Sequence, residues 1–130
     1  MNKKGKILAL IFIFCFSISL LAACGGSDDK EVFRVYFGLN DADTGTQIVT
    51  IKNAQPVIRN ACIDAGIGYT EYVAEGAYID GDEIKKNGTL VFEFFFTDRK
   101  TVETIIDSVR KELNLASVLI VELNCSYDFA

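Results

Sequence analysis

Leu90-Val91-Phe92-Glu93-Phe94-Phe95-Phe96-Thr97-Asp98-Arg99-Lys100-Thr101-Val102-Glu103-Thr104-Ile105-Ile106-Asp107-Ser108-Val109 changes its hydrophobic period once, and that change decides the fold. Leu90, Phe92, Phe94 and Phe96 alternate with Val91, Glu93 and Phe95, the two-residue repeat of a strand with one face against a core. Asp98 then offers a carboxylate to the free amides that open a helix. Beyond it Val102, Ile105, Ile106, Val109 and Leu113 recur at helical spacing. The stretch reads strand, cap, amphipathic helix.

The same pair of periods occurs upstream. Phe33, Val35 and Phe37 alternate with Arg34 and Tyr36, and Asn40–Gly45 is turn chemistry. Ile51, Ala54, Ile58, Ala61, Cys62 and Ala65 then form one helical stripe, ended by Gly66 and Gly68. Pro56 fits if that helix starts near Asn53, which puts the ring in the first turn. Tyr69–Ile79 reads as a second strand, with a loop opened by Asp80-Gly81 and closed by Asn87-Gly88 before the third. Ser117–Asn124, rich in Val, Ile and Leu, is the last strand. The order β-α-β-β-α-β gives an α+β, ferredoxin-like sandwich. Two right-handed crossovers place both helices on one face of a four-stranded antiparallel sheet of order 4-1-3-2. A swapped or separately paired α+β sandwich is the rival for the same string of elements.

Upstream of the first strand the composition shifts. Lys3, Lys4 and Lys6 precede an apolar run from Ile7 to Leu20, and Ala22-Ala23 precede Cys24. That is the pattern of a secretory signal. Ile7–Ala23 spans 17 residues with two serines, short of the roughly 20 apolar residues of a permanent membrane span. Leu21-Ala22-Ala23-Cys24 resembles the lipobox of bacterial lipoproteins. The resemblance implies cleavage between Ala23 and Cys24, with a diacylglyceryl group and further acyl chains such as palmitate on Cys24. Each buried methylene is worth roughly 0.8 kcal/mol, so several chains on one residue hold firmly. An uncleaved helix and a plain secreted protein cut nearby are the alternatives. The expected divisions are a signal peptide over 1–23, a lipidated cysteine and flexible tether over 24–30, and a domain over 31–130. The expected location is the cell membrane, on its extracytoplasmic face. Gly25 lacks the aspartate that the lipoprotein resemblance associates with inner-membrane retention, which leaves an outer membrane open where the cell has one.

Cleavage leaves 107 residues, in which 10 basic face 18 acidic side chains for a net charge of −8. That balance speaks against nucleic acid and against a polybasic grip on anionic lipid.

Several strings in the domain resemble a family of small, uncharacterised bacterial domains often carried on lipoproteins. They are Tyr36-Phe37-Gly38-Leu39-Asn40, Gly68-Tyr69-Thr70, Glu75-Gly76-Ala77-Tyr78, Glu93, and Ser117-Val118-Leu119, in that order between Phe33 and Val121. Family members often have tryptophan where Tyr78 stands, and this chain has none. The resemblance implies the ferredoxin-like fold and no activity.

Catalytic signatures are few. The chain has no histidine, no Gly-x-Ser-x-Gly, no phosphate-cradling glycine loop and no Cys-x-x-Cys. Cys62 and Cys125 are too few for an iron–sulfur cluster, so no cofactor is expected. A disulfide needs their Cα atoms within about 7 Å. The first helix covers strands two and three while strand four is the opposite edge, so two separately buried thiols are the favoured reading. Asn40–Thr46 departs from a calcium loop, with Ala42 at the third position and Ile51 at the twelfth. It and the Asp80, Asp82, Glu83 cluster read as solvated turns, and no metal site is expected.

The sheet face turned from the helices is the candidate interface or ligand site. Its expected members are Arg34, Tyr36, Val91, Glu93, Phe95, Val118, Ile120 and Glu122, with Tyr72 and Tyr78 if strand two has the matching register. Leu119, Val121, Leu123 and Cys125 are then expected to face the helices. A face meant for water alone would be mostly polar, and this one is not. Three occupants are open: a second copy as a homodimer, a ligand or partner protein, or water over scattered aromatics. The functional expectation is a membrane-tethered binding or interaction module. A small dimeric enzyme with a sheet-face pocket and an accessory envelope protein are the alternatives.

Overall fold

The computed structural model describes residues 30–129. The expected signal peptide, cleavage site, lipidated Cys24 and tether up to Asp29 lie outside the described residues. Six elements follow in order: β1 (Lys30–Gly38), α1 (Ile51–Asp64), β2 (Thr70–Asp80), β3 (Glu83–Phe94), α2 (Arg99–Leu113) and β4 (Val118–Cys125). The strands form one antiparallel sheet of order β2-β3-β1-β4, the order expected, with both helices on one face.

The central pair sets the core. β1 and β3 align Phe33 with Phe94, Val35 with Phe92 and Phe37 with Leu90, and all six side chains are fully buried. Directly opposed residues share a face. The helix stripes close over them through Ala54, Ile58 and Cys62 of α1 and Val102, Ile105, Ile106 and Val109 of α2. Phe92 sits at the centre, edge-on to Phe37 at 5.8 Å and 5.2 Å from the Tyr69 ring.

Both helices start on a side-chain cap. The Asp98 carboxylate accepts from the Thr101 amide at 2.9 Å, as expected. α1 departs from expectation, because Thr50 rather than a residue near Asn53 caps it, with Oγ1 accepting from the Asn53 amide at 3.3 Å. Pro56 therefore lies past the first turn, where it leaves the Lys52 carbonyl without its usual helical donor. Its exposed position lets water satisfy that oxygen.

The hairpin is also longer than the sequence implies. β2 and β3 pair through to Asp80 and Glu83 across a two-residue turn, with Gly81 at φ +62°, the glycine position of a type II′ turn. Asn87-Gly88 closes no loop and instead pairs with Gly76 and Glu75 inside the sheet. β3 ends at Phe94, so Phe95 and Phe96 fall beyond it.

Phe92→Ala removes the ring on which Phe37, Tyr69 and Phe94 pack. Urea unfolding should show a loss of about 3–5 kcal/mol. A loss under 1 kcal/mol would contradict the placement of Phe92 at the centre of the core.

Candidate functional site

The open face is read off the strand registers. One row crosses all four strands as Tyr72, Val91, Tyr36 and Leu119. The next runs Thr70, Glu93, Arg34 and Val121. In that second row Arg34 Nε donates to Glu93 Oε1 at 2.6 Å, and both side chains are partly exposed. The Tyr36 hydroxyl and then the Glu93 carboxylate hold the Arg34 guanidinium above its ordinary value, so its charge is fixed. In the apolar row Val91 is wholly buried, whereas Tyr72 and Leu119 at the edges are 42 % and 59 % exposed. Tyr78 shares the face further up β2, opposite Lys85.

The β4 expectation is corrected here. Ile120 pairs with Val35 and Glu122 with Phe33, both on the helix side, and Val118 pairs with Phe37 there too. Val118 and Ile120 pack against the core. The open face instead carries Leu119, Val121, Leu123 and Cys125, opposite Tyr36, Arg34, Val32 and Lys30. Leu115 sets this register: it is buried, bridges Asp41, and is followed by Ala116, whose amide donates to the Asn40 carbonyl at 2.8 Å. Glu122 is acceptable on the helix side because Arg99, at the start of α2, meets it at 2.8 Å. The open face is thus more apolar than the sequence reading had it.

A second feature lies at the end of the sheet where β1 begins, and Phe95, expected on the open face, falls past the end of β3 and joins this cluster instead. Tyr127, past β4, stands edge-on to Phe95 at 5.3 Å and to Phe96 at 5.2 Å, and Phe129 stacks on Phe96 at 5.8 Å. Lys30 donates from Nζ to the Tyr127 carbonyl at 3.0 Å and lies 4.6 Å over its ring. A cavity of about 520 Å³ opens between these aromatics and the Gly66–Thr70 loop. Phe96 has a φ of +58°, a left-handed backbone that costs a bulky residue about 1–2 kcal/mol. The available signal was the pair Tyr127 and Phe129 in a stretch with no strand or helix period.

The remaining expectations sort plainly. Cys62 and Cys125 are both free, but only Cys62 is buried, and Cys125 is exposed on the open face at the end of the sheet where β1 begins. Burial, with the Glu71 carboxylate adding to it, pushes the Cys62 thiol up to about 12. Asp41 and Asp43 both accept from Asn114 Nδ2 at 2.8 Å, which ties their loop to the end of α2. That amide and then the Thr44 backbone hold the Asp41 carboxyl below its ordinary range. Among the described residues no three His, Cys, Asp or Glu side chains cluster to hold a metal ion. Across the sheet, Arg59 of α1 grips Glu71 of β2, with Nε 2.9 Å from Oε2.

No protein-family model matches the chain, and no curated protein matches it. Solved structures do. A phage SAM lyase in its apo state superposes with a TM-score of 0.58 at 15 % identity, over 74 % of this chain and 81 % of the lyase. The periplasmic divalent cation tolerance protein CutA from Archaeoglobus fulgidus gives 0.52 at 7 % identity, over 75 % and 87 %. CutA1 from Oryza sativa gives 0.51 at 11 % identity, over 79 % and 87 %. At these identities the likeness shows the ferredoxin-like fold, and a fold hosts many unrelated functions.

Thiol labelling checks the cysteine geometry. Iodoacetamide at pH 8 should alkylate Cys125 of the native protein within minutes, while Cys62 reacts only after denaturation. Peptide mass mapping that finds Cys62 labelled in the native state would contradict its burial.

Proposed function

We propose that this chain is a lipoprotein tethered by Cys24 to the extracytoplasmic face of a membrane, where its open sheet face serves as a binding surface whose first partner is a second copy of the chain. The lipobox resemblance of Leu21–Cys24 supports the tether. Among the described residues no helix is long and apolar enough to cross a membrane.

One observation carries the binding reading: an apolar row edged by exposed Tyr72 and Leu119 lies directly beside a row holding both an arginine and a glutamate. Exposed apolar side chains rimmed by charge are the mark of a contact surface. The charged row is also self-complementary. Turned by a two-fold axis running along the strands, the Glu93 position of one copy meets the Arg34 position of the other, as an isologous interface requires. The enzyme reading draws on the same residues, but Arg34 and Glu93 are committed to each other, and the aromatic-lined cavity lies at the end of the sheet.

Cys24→Ser should abolish acylation and stall processing of the precursor. An intact-mass measurement showing normal cleavage of the variant would overturn the tether. Leu119→Glu places a charge at the edge of the proposed contact, where the pairing sets it opposite Tyr72 of the second copy, at a site open enough to leave the fold intact. Sedimentation equilibrium should show self-association weakened at least tenfold, about 1.4 kcal/mol. A variant that sediments like the parent would count against pairing through this face.

A further inference from the structure

We propose that the aromatic cluster at the tether end of the domain, Phe96 and Phe129 backed by Tyr127, rests in the interfacial region of the bilayer that anchors Cys24. This rests on the lipoprotein reading above and adds to it a second, non-covalent contact with the membrane.

Reach is the first argument. Cys24 and Lys30 are six residues apart, so the tether spans at most about 22 Å even when fully extended. Lys30 touches the cluster, through the Tyr127 carbonyl and the face of its ring. The lipid and the aromatic patch are therefore bound to be neighbours. The far end of the sheet is not, because β3 carries the hairpin tip about 37 Å from its Phe94 end.

Exposure is the second. Phe96 is 68 % and Phe129 83 % exposed, and the two rings stack 5.8 Å apart with their planes within 15°, so the exposed apolar surface is continuous. Exposed Phe side chains bury into the headgroup–acyl boundary, and Tyr rings concentrate at headgroup level. Phe96 holds this exposed position in a strained, left-handed backbone conformation.

Charge fixes the kind of contact. Asp28 and Asp29 precede Lys30 in the sequence, Asp128 lines the same cavity as the aromatics, and the ammonium of Lys30 is already engaged by Tyr127. The attraction is therefore apolar, toward acyl chains and glycerol rather than anionic headgroups, and insensitive to salt.

The chain has no tryptophan, so a single substitution makes a reporter. The mature chain from Cys24 is suitable, since the buried core lies wholly between Val32 and Leu115. In a Cys125→Ser background, Cys24 is coupled to a maleimide-headgroup lipid in phosphatidylcholine vesicles with brominated chains; the buried Cys62 thiol does not compete. Phe129→Trp should be quenched at least twofold relative to unbrominated vesicles, and Ile84→Trp at the hairpin tip should not. Phe96→Asn, with a residue that tolerates left-handed backbone, should more than halve the quenching without unfolding the protein. Raising salt from 0.05 to 0.5 M should change nothing. Unquenched Phe129→Trp, equal quenching at Ile84→Trp, or loss of contact in high salt would each overturn the proposal. Failure of the lipoprotein reading shows separately, as cellular Cys24 without an acyl group by mass spectrometry.

Discussion

The register between β1 and β3 is the constraint on which the rest depends. It puts Phe33, Val35, Phe37, Leu90, Phe92 and Phe94 on one side of the sheet, all fully buried. Each such side chain gains roughly 1.5–3 kcal/mol by leaving water. A slip of either strand by one residue would turn its three members outward and bring Arg34 and Tyr36, or Val91 and Glu93, toward the core instead. The position of Arg34 opposite Glu93, and of Tyr36 opposite Val91, follows from this pairing and needs no separate cause.

Where one face of an element is polar, the sequence was sufficient. β1 carries Arg34 and Tyr36 at the intervening positions, β3 carries Glu93, and the helix stripes are flanked by charged residues, which marks their orientation. β4 fails that test. Val118-Leu119-Ile120-Val121 is apolar at every position, and the only asymmetric marker, Glu122, points the wrong way because Arg99 meets it on the helix side. The orientation of β4 comes from Leu115 and the Ala116 amide, contacts between distant segments that no local pattern encodes. Asn87-Gly88 misleads in the same manner. It has turn chemistry, but Gly88 is needed for space: a Cβ there would come within 3.1 Å of Gln47 Oε1 and 3.2 Å of Ile51 Cδ1. The aromatic end cluster was illegible because its members come from Lys30, the end of β3 and the residues after β4, brought together only by the sheet order.

The molecule thus presents two surfaces with different physical characters. The end of the sheet where β1 begins is aromatic and apolar and is tied to the first residue of β1. The open face mixes an apolar row with a fixed ion pair. They lie at right angles to each other, since one is the end of the strands and the other their side.

That geometry links the two proposals. If the tether end meets the bilayer, the strands stand upright on it and the open face is perpendicular to the membrane, free to receive a neighbour. Two copies anchored in one membrane must both keep their tether ends down. The only two-fold axis that pairs their open faces under that condition runs along the membrane normal, parallel to the strands. Such an axis keeps each residue at its own height and exchanges left for right across the sheet. With the order β2-β3-β1-β4, β3 of one copy then opposes β1 of the other, and β2 opposes β4. Glu93 and Arg34 share one row, so each falls opposite its counter-charge; Tyr72 and Leu119 share the next, so each exposed apolar edge falls opposite the other. An axis parallel to the membrane would instead lift one tether end far from the bilayer, well beyond the roughly 22 Å that six residues can span. A tether this short would therefore select, among the ways of pairing this face, the one in which its charges already match.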